Sequence, residues 1–369
     1  MKISKIKFKN NSADYAILIG SGAIKLLKKQ IYTICPNTKK IAIIFDRKIP
    51  LKLKNKIKNQ LANYKLYIYQ FEVSEKLKSF KNVYRLNEDL LKKNFNRNDT
   101  IIAVGGGVIG DFTGFVASIL KRGINFINLP STLLSQVDAS VGGKTGINSR
   151  EGKNLIGTFY QPKLVISDTD FLRSLPEREI ICGFAEILKH SLIYDKKFFF
   201  WIEKNIKKII IDKDPSAINF AISKSCKIKI SFVIDDEKEK GKRAILNFGH
   251  TFAHGIEATT NFSNKINHGE AVLVGMFLAT KISKLKKLCS SSTLNKIENL
   301  YKKNNLPSSL KKYSLNNKIN KITGYMRQDK KNTDSKISLI LLKNIGKTTK
   351  PGTIKMSTKK INSLIRKVI

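Results

Sequence analysis

The run TIIAV (Thr100–Val104) ends at three consecutive glycines, Gly105 to Gly107, and VIGDFTGFVASIL (Val108–Leu120) continues with helical periodicity. Few local patterns restrict a fold so strongly. Glycines there let the backbone turn sharply from strand to helix and let a pyrophosphate approach the helix N-terminus. Gly105, Gly107 and Gly110 satisfy G-x-G-x-x-G in strand-then-helix context. The acidic residue expected about 20 residues later is missing. Asp46, after the apolar run Lys40–Phe45, is the candidate ribose-binding carboxylate instead. A tight turn that binds nothing stays open as an alternative.

The surrounding pattern extends this unit. Short β-rich runs at Tyr15–Ile19, Lys40–Phe45, Lys65–Tyr69, Thr100–Val104, Phe126–Leu129 and Leu164–Ser167 alternate with helical periods. Several are continuously apolar, as expected of strands buried on both faces. The fold class predicted is α/β: an N-terminal Rossmann-like doubly wound sheet domain, followed by a mainly α-helical C-terminal domain. Helices are predicted over Ile180–Ile193, Ala217–Ile234, Ala244–Thr259 and Glu270–Leu285, and a strand-like run over Ile337–Leu342. The boundary is placed at 178, giving domains 1–178 and 179–369.

Charge bears on partners. Lys+Arg number 69 and Asp+Glu 28, a formal net charge of +41. Residues 101–190 hold nine basic and eight acidic residues, so the excess avoids the most patterned region. A bias that diffuse reads as solvated surface, and neither nucleic acid nor membrane is expected as a partner. The four cysteines form no CxxC pair, which fits reduced thiols in the cytoplasm. The N-terminus lacks the apolar core of a signal peptide.

Three further groups carry chemistry. PSTLLSQVD (Pro130–Asp138), VGGKTGIN (Val141–Asn148) and GKN (Gly152–Asn154) crowd hydroxyls, amides, glycines and two lysines into 25 positions. Such a segment suits ligand contacts at the carboxyl ends of strands. Next, Arg243, Asn247, His250 and His254 share one narrow stripe if 243–254 is a single helix. Leaving that stripe unpaired in a buried helix would be costly, so it is expected to line a polar cavity. Core histidines satisfied locally are the alternative. Finally, Glu186, His250 and His268 can supply a carboxylate and two imidazoles with a position left open, a catalytic zinc set. Lys189 shares a helix face with Glu186.

With GGGVIGDFTGF, LPSTLLSQVDASVGGKTGIN, GKNLIG, LPERE, GFAEILKH, RAILNFGHTFAH and NHGEAV together, the chain resembles the 3-dehydroquinate synthase family of sugar-phosphate cyclases, from Ile17–Gly22 to Met326–Lys331. The resemblance implies a homodimer that uses NAD+ and a divalent metal, Zn2+ or Co2+. The implied reaction turns 3-deoxy-D-arabino-heptulosonate 7-phosphate into 3-dehydroquinate and phosphate by oxidation, elimination, reduction and aldol closure. By motif position it implies metal ligands Glu186, His250 and His268. The NAD site would use Asp46, Glu75, Lys78, Gly106, Gly107, Val108, Asp111, Ser131, Thr132, Leu134 and Phe171, with Ser174 nearby in place of a usual Thr. The substrate site would use Asp138, Lys144, Lys153, Asn154, Lys189, Lys229, Arg243, Asn247 and His254. Arg122 would reach a phosphate across the dimer, and Lys330 or Lys331 would contact the same phosphate. His254 is expected to shuttle protons and Glu239 to order the polar network. Rivals are another cyclase of the 2-deoxy-scyllo-inosose type and an alcohol dehydrogenase of the glycerol-dehydrogenase type.

Overall fold

A computed structural model describes residues 3–327 and 336–369, so Lys330 and Lys331 lie outside the described residues. The chain divides into two compact units, residues 1–180 with 213–230, and residues 181–212 with 231–369.

The first unit opens with β1 (Ser4–Lys9), β2 (Asp14–Gly20) and α1 (Leu27–Ile34). Three β–α repeats follow: β3 (Lys40–Asp46) and α2 (Leu51–Gln60), β4 (Lys65–Phe71) and α3 (Phe80–Lys92), β5 (Thr100–Gly105) and α4 (Gly107–Ile119). Next come β6 (Asn125–Pro130), a hairpin of β7 (Lys144–Ser149) and β8 (Gly152–Phe159), and β9 (Leu164–Asp168). The main sheet has the order β1-β2-β9-β6-β5-β3-β4. All neighbours are parallel except the edge strand β1.

Strand composition explains the layering. Alternate side chains of a strand point to opposite faces. Ile41, Ile43 and Phe45 join Ile102 and Val104 in a core with Leu27, Ile31 and Ile57 of α1 and α2. Ala42 and Ile44 join Ile101 and Ala103 in a second core with Leu86 and Leu90 of α3 and Phe112 and Val116 of α4. Both sheet faces are therefore covered by helices, as the apolar runs require.

The strand order also positions a site. From β3 the chain steps outward to β4, then returns to pair β5 on the other side of β3. Ligands in open α/β sheets bind beyond the carboxyl ends of strands at such a reversal. Asp46 ends β3 and Gly105 ends β5, so the crevice lies between them.

The second unit is built on helices: α5 (Glu177–Tyr194) from Ile181 on, α6 (Lys196–Ile210), α8 (His250–Thr259), α9 (His268–Leu285), α10 (Ser291–Lys303), α11 (Ile319–Arg327) and α12 (Thr358–Val368). Between α6 and α8 runs α7 (Pro215–Val233), whose residues to Ile230 group with the first unit.

Two expectations need correction, and one element was not foreseen. The polar, glycine-rich stretch after Asp138, to which the sequence pattern assigns no secondary structure, carries the β7–β8 hairpin, most of whose β8 positions are exposed or half-buried. The strand expected over Ile337–Leu342 is interrupted, with pairing only at Lys336–Ser338 and Leu342–Asn344. The single helix expected over Ala244–Thr259 is broken. Lys242–Asn247 is a 3-10 turn, Phe248 is extended, and Gly249 sits at φ 80° before α8 begins. A Cβ on Gly249 would lie 2.5 Å from Met276 Cγ, so both its backbone angle and its packing exclude other residues.

Candidate functional site

In the first unit, α4 starts at the glycine turn with Gly106 as N-cap and no side chain capping it. Its first amides are thus available to an anion, and its dipole favours negative charge. Gly106 lies against Thr132, 3.3 Å from where a Cβ would stand. Ser131 N donates to Gly105 O at 2.9 Å, which ties the end of β6 to the turn. Thr132 and Ser135 hydroxyls bond to one another at 2.8 Å. Asp46 Oδ1 accepts from Lys48 N at 2.9 Å and so closes its own turn. These features fit a dinucleotide.

Beside this turn lies a charged network. Lys78, almost fully buried, donates from Nζ to Asp111 Oδ2 at 2.6 Å and also to Asn154 Oδ1. Lys153 Nζ pairs with Glu75 Oε1 at 3.0 Å. Asn148 ties the parts together. Its Nδ2 donates to Glu75 Oε2 at 2.8 Å, its Oδ1 accepts from Asn154 N, and its N donates to Lys78 O. Burial pushes the Asp111 carboxyl up, against the pull of Lys78. For Glu75 burial acts upward, but Asn148 and Lys153 outweigh it and the carboxyl lies below its usual range. Lys229 donates to Asp138 twice, at 2.7 Å to Oδ1 and 2.6 Å to the carbonyl oxygen. Asp138 lies in a π-helical turn, Ser135–Ala139, a distortion frequent at functional sites.

Other candidates lie in different settings. Leu134 is half-buried and Lys144 is exposed at the start of β7. Phe171 packs into the core beneath the sheet, and Ser174 bonds back to the Phe171 carbonyl. Arg122 lies at the far end of α4.

In the second unit, Glu186, His250 and His268 each offer one atom, and the three atoms lie within 4.8 Å of one another. Glu186 Oε1 is 3.4 Å from His250 Nε2 and 3.9 Å from His268 Nε2. Two helix starts create this arrangement. His250 is the first residue of α8 after Gly249, and His268 the first of α9 after Asn267. Asn267 and Glu270 form a capping box that holds this register. Gly269 then lets α9 press on α5: a Cβ there would stand 2.3 Å from Cys182 Cα and Cys182 O. Glu186, one turn beyond Cys182 on α5, thereby meets His268.

The electrostatics suit a cation. Glu186 is fully buried, and no well-formed hydrogen bond meets either carboxylate oxygen. Burial alone would raise its pKa, but the Lys189 ammonium against Oε2 and the two imidazoles hold it well below the usual range. His250 is lowered to about 4, first by burial and then by Lys189, against the pull of Glu186. Near neutral pH the pair is therefore carboxylate and neutral imidazole, the forms that bind metal. One oxygen and two nitrogens fit a divalent cation and leave coordination positions free.

The other stripe residues divide between two settings. His254 stacks edge-on to His250, ring centroids 5.7 Å apart. Arg243 and Asn247 belong to the preceding turn: Arg243 N donates to Asp236 Oδ2, its guanidinium to Glu237 O, and Asn247 Nδ2 to Glu239 Oε1 at 2.7 Å. Sequence reasoning missed two residues. Asn148 stood inside a motif without a role. Glu257, whose Oε2 is 3.2 Å from His268 Nδ1, falls seven residues after His250, on the same helix face. That spacing was available as a signal.

A family model described as 3-dehydroquinate synthase N-terminal matches residues 68–182, and one described as 3-dehydroquinate synthase C-terminal matches residues 183–332. A 3-dehydroquinate synthase of Pelagibacter ubique is 47% identical over 367 residues, 100% of this chain and 99% of that protein. One of Caulobacter vibrioides is 39% identical over 339 residues, 90% of each. Among solved structures, a 2-deoxy-scyllo-inosose synthase complexed with carbaglucose-6-phosphate, NAD+ and Co2+ is similar, with TM-score 0.88 and 25% identity over 99% of this chain and 100% of that one. A 2-epi-5-epi-valiolone synthase from Streptomyces hygroscopicus shares the fold at TM-score 0.84 and 21% identity, covering 100% and 99%.

Proposed function

The chain belongs to the 3-dehydroquinate synthase family, and on that premise we propose which of its residues carry the family's reaction. It converts 3-deoxy-D-arabino-heptulosonate 7-phosphate to 3-dehydroquinate and phosphate in the shikimate pathway, with NAD+ and Zn2+ or Co2+ as cofactors. When bound, the cation would supply Lewis acidity toward the alcohol being oxidised, and the nicotinamide would supply a reversible hydride acceptor.

Glu186, His250 and His268 hold the cation, and their convergence is the observation that carries the reading. The α4 N-terminus at Gly106, Gly107 and Val108 receives the pyrophosphate, with Ser131, Thr132 and Leu134 alongside. Asp46 accepts from a ribose hydroxyl, and Glu75, Lys78 and Asp111 border the cofactor. Phe171 and Ser174 support the same wall from the turn after β9. Lys144, Lys153, Asn154, Lys189, Lys229, Arg243 and Asn247 hold substrate carboxylate, hydroxyls and phosphate through charge-assisted hydrogen bonds. Asp138 orients Lys229, and Glu239 orients Asn247. His254, one turn beyond His250, moves protons at a substrate hydroxyl.

Arg122 has a separate logic. It is exposed, and α4 carries it about 20 Å from the glycine turn of its own chain. Its proposed partner is a substrate phosphate bound by a second copy of the chain, as a homodimer would allow. Lys330 or Lys331 is proposed for the same phosphate. For location, all four cysteines are buried and none forms a disulfide, which supports a reducing cytoplasm. No helix among the described residues is long and apolar enough to cross a membrane. The domain roles proposed are NAD binding by residues 1–178, and metal and substrate binding by 179–369.

The test is to incubate protein, NAD+ and Zn2+ with the heptulosonate phosphate and follow phosphate and NADH together. Phosphate release without net NADH is expected. Net accumulation of NADH would instead indicate a dehydrogenase.

A further inference from the structure

The two imidazoles of the triad are supported unequally. His250 Nδ1 lies 3.4 Å from a backbone carbonyl, Phe248 O, at the edge of hydrogen-bond range. His268 Nδ1 lies 3.2 Å from a carboxylate, Glu257 Oε2. Glu257 is mostly buried, its side chain 13% exposed, whereas the His268 side chain is 31% exposed. The more exposed imidazole thus has the stronger anchor. Its Nε2, 3.9 Å from Glu186 Oε1, points into the triad while Nδ1 points away from it.

We infer that Glu257 is a positioning residue for metal binding, accepting the Nδ1 proton of His268 and so presenting Nε2 to the cation. The physical reason is tautomer control. A neutral imidazole carries one proton, and an acceptor on Nδ1 keeps it there, leaving the Nε2 lone pair free. A carboxylate in that position also raises the basicity of the ligand nitrogen and fixes the ring. Geometry adds a second constraint. Glu257 stands on α8, two turns after His250, while His268 opens α9. The contact therefore ties the helix bearing one ligand to the residue that is the other.

The inference rests on the proposed metal role of the triad. Zinc affinity and the visible spectrum of the cobalt-loaded protein are measured for the wild type, Glu257→Ala, Glu257→Gln and His268→Ala. Glu257→Ala should weaken zinc binding roughly 10- to 100-fold and alter the cobalt spectrum. Glu257→Gln, which keeps an acceptor without the charge, should lie between Ala and wild type. The thermal midpoint of the metal-free protein should change little, which separates positioning from a structural role. Zinc affinity within twofold of wild type in Glu257→Ala overturns the inference. Should that variant not fold, wild-type affinity and spectrum in Glu257→Gln overturn it. If His268→Ala also keeps zinc, the ligand assignment has failed as well. If only the Glu257 variants keep it, the positioning role alone has.

Discussion

The two polar clusters of this protein balance charge in opposite ways. In the first unit, cations and anions are matched: Lys78 with Asp111, Lys153 with Glu75, Lys229 with Asp138. Several of these groups are partly exposed, and neutral amides of Asn148 and Asn154 link them. In the second unit, Glu186 is fully buried and faces Lys189 and two imidazoles, with no well-formed hydrogen bond on its oxygens. The first cluster can exchange partners with a polyanionic ligand at modest cost. The second holds a desolvated carboxylate that a bound cation would satisfy. Its strength depends on helix approach, that of the first on hydrogen bonds between segments 33 to 91 positions apart in the chain.

The contrast predicts where substitutions hurt most. Gly269→Ala should have the largest effect on metal content and turnover, because a Cβ there meets Cys182 backbone at 2.3 Å and α9 must move off α5. Zinc content should fall and turnover drop by roughly 10- to 100-fold as His268 leaves Glu186, and the overpacking should cost about 1–3 kcal/mol of stability. NAD+ titration should stay near wild type; equal loss of both would show the clusters to be coupled.

Lys189→Met comes next. It leaves Glu186 buried without its cation, and breaking such a pair costs about 3–5 kcal/mol. Thermal unfolding should show this loss in metal-free protein and a partial recovery with zinc. A midpoint unchanged by the substitution would show that the imidazoles alone compensate the carboxylate.

The smallest effect belongs to the first cluster. Asn148→Ala removes hydrogen bonds to Glu75 and Asn154, a loss of about 1–2 kcal/mol. NAD+ binding should weaken a few-fold with zinc affinity unchanged. A change in zinc content would show that Asn148 acts beyond the first cluster.

Much of this was legible in the residue pattern, for reasons visible at particular positions. Ile41–Phe45 and Ile101–Val104 are apolar at every position, which only a doubly covered strand accommodates. The glycine turn required no tertiary information, because strand, turn and helix adjoin in the chain. The helix over 244–259 misled, because periodicity assumes an unbroken 100° per residue. Gly249 at φ 80° resets that angle, so Arg243 and Asn247 turn to the 236–239 loop while His250 starts a new helix. The β7–β8 hairpin was hidden because its small, polar and half-exposed residues carry little alternation.

Residue order alone determined the layered sheet, the phosphate-suited turn, and the supply of one glutamate and two histidines for a cation. These are local properties: burial preference, backbone freedom and donor chemistry. Packing decided which groups meet. Gly269 N reaches Cys182 Sγ across 87 positions of chain, and that approach of α9 to α5 seats His268 beside Glu186. It decided, too, that Glu257 rather than another acidic residue backs His268. No local pattern encodes a distance between two helices; it follows from which side chains are small enough to let the backbones touch.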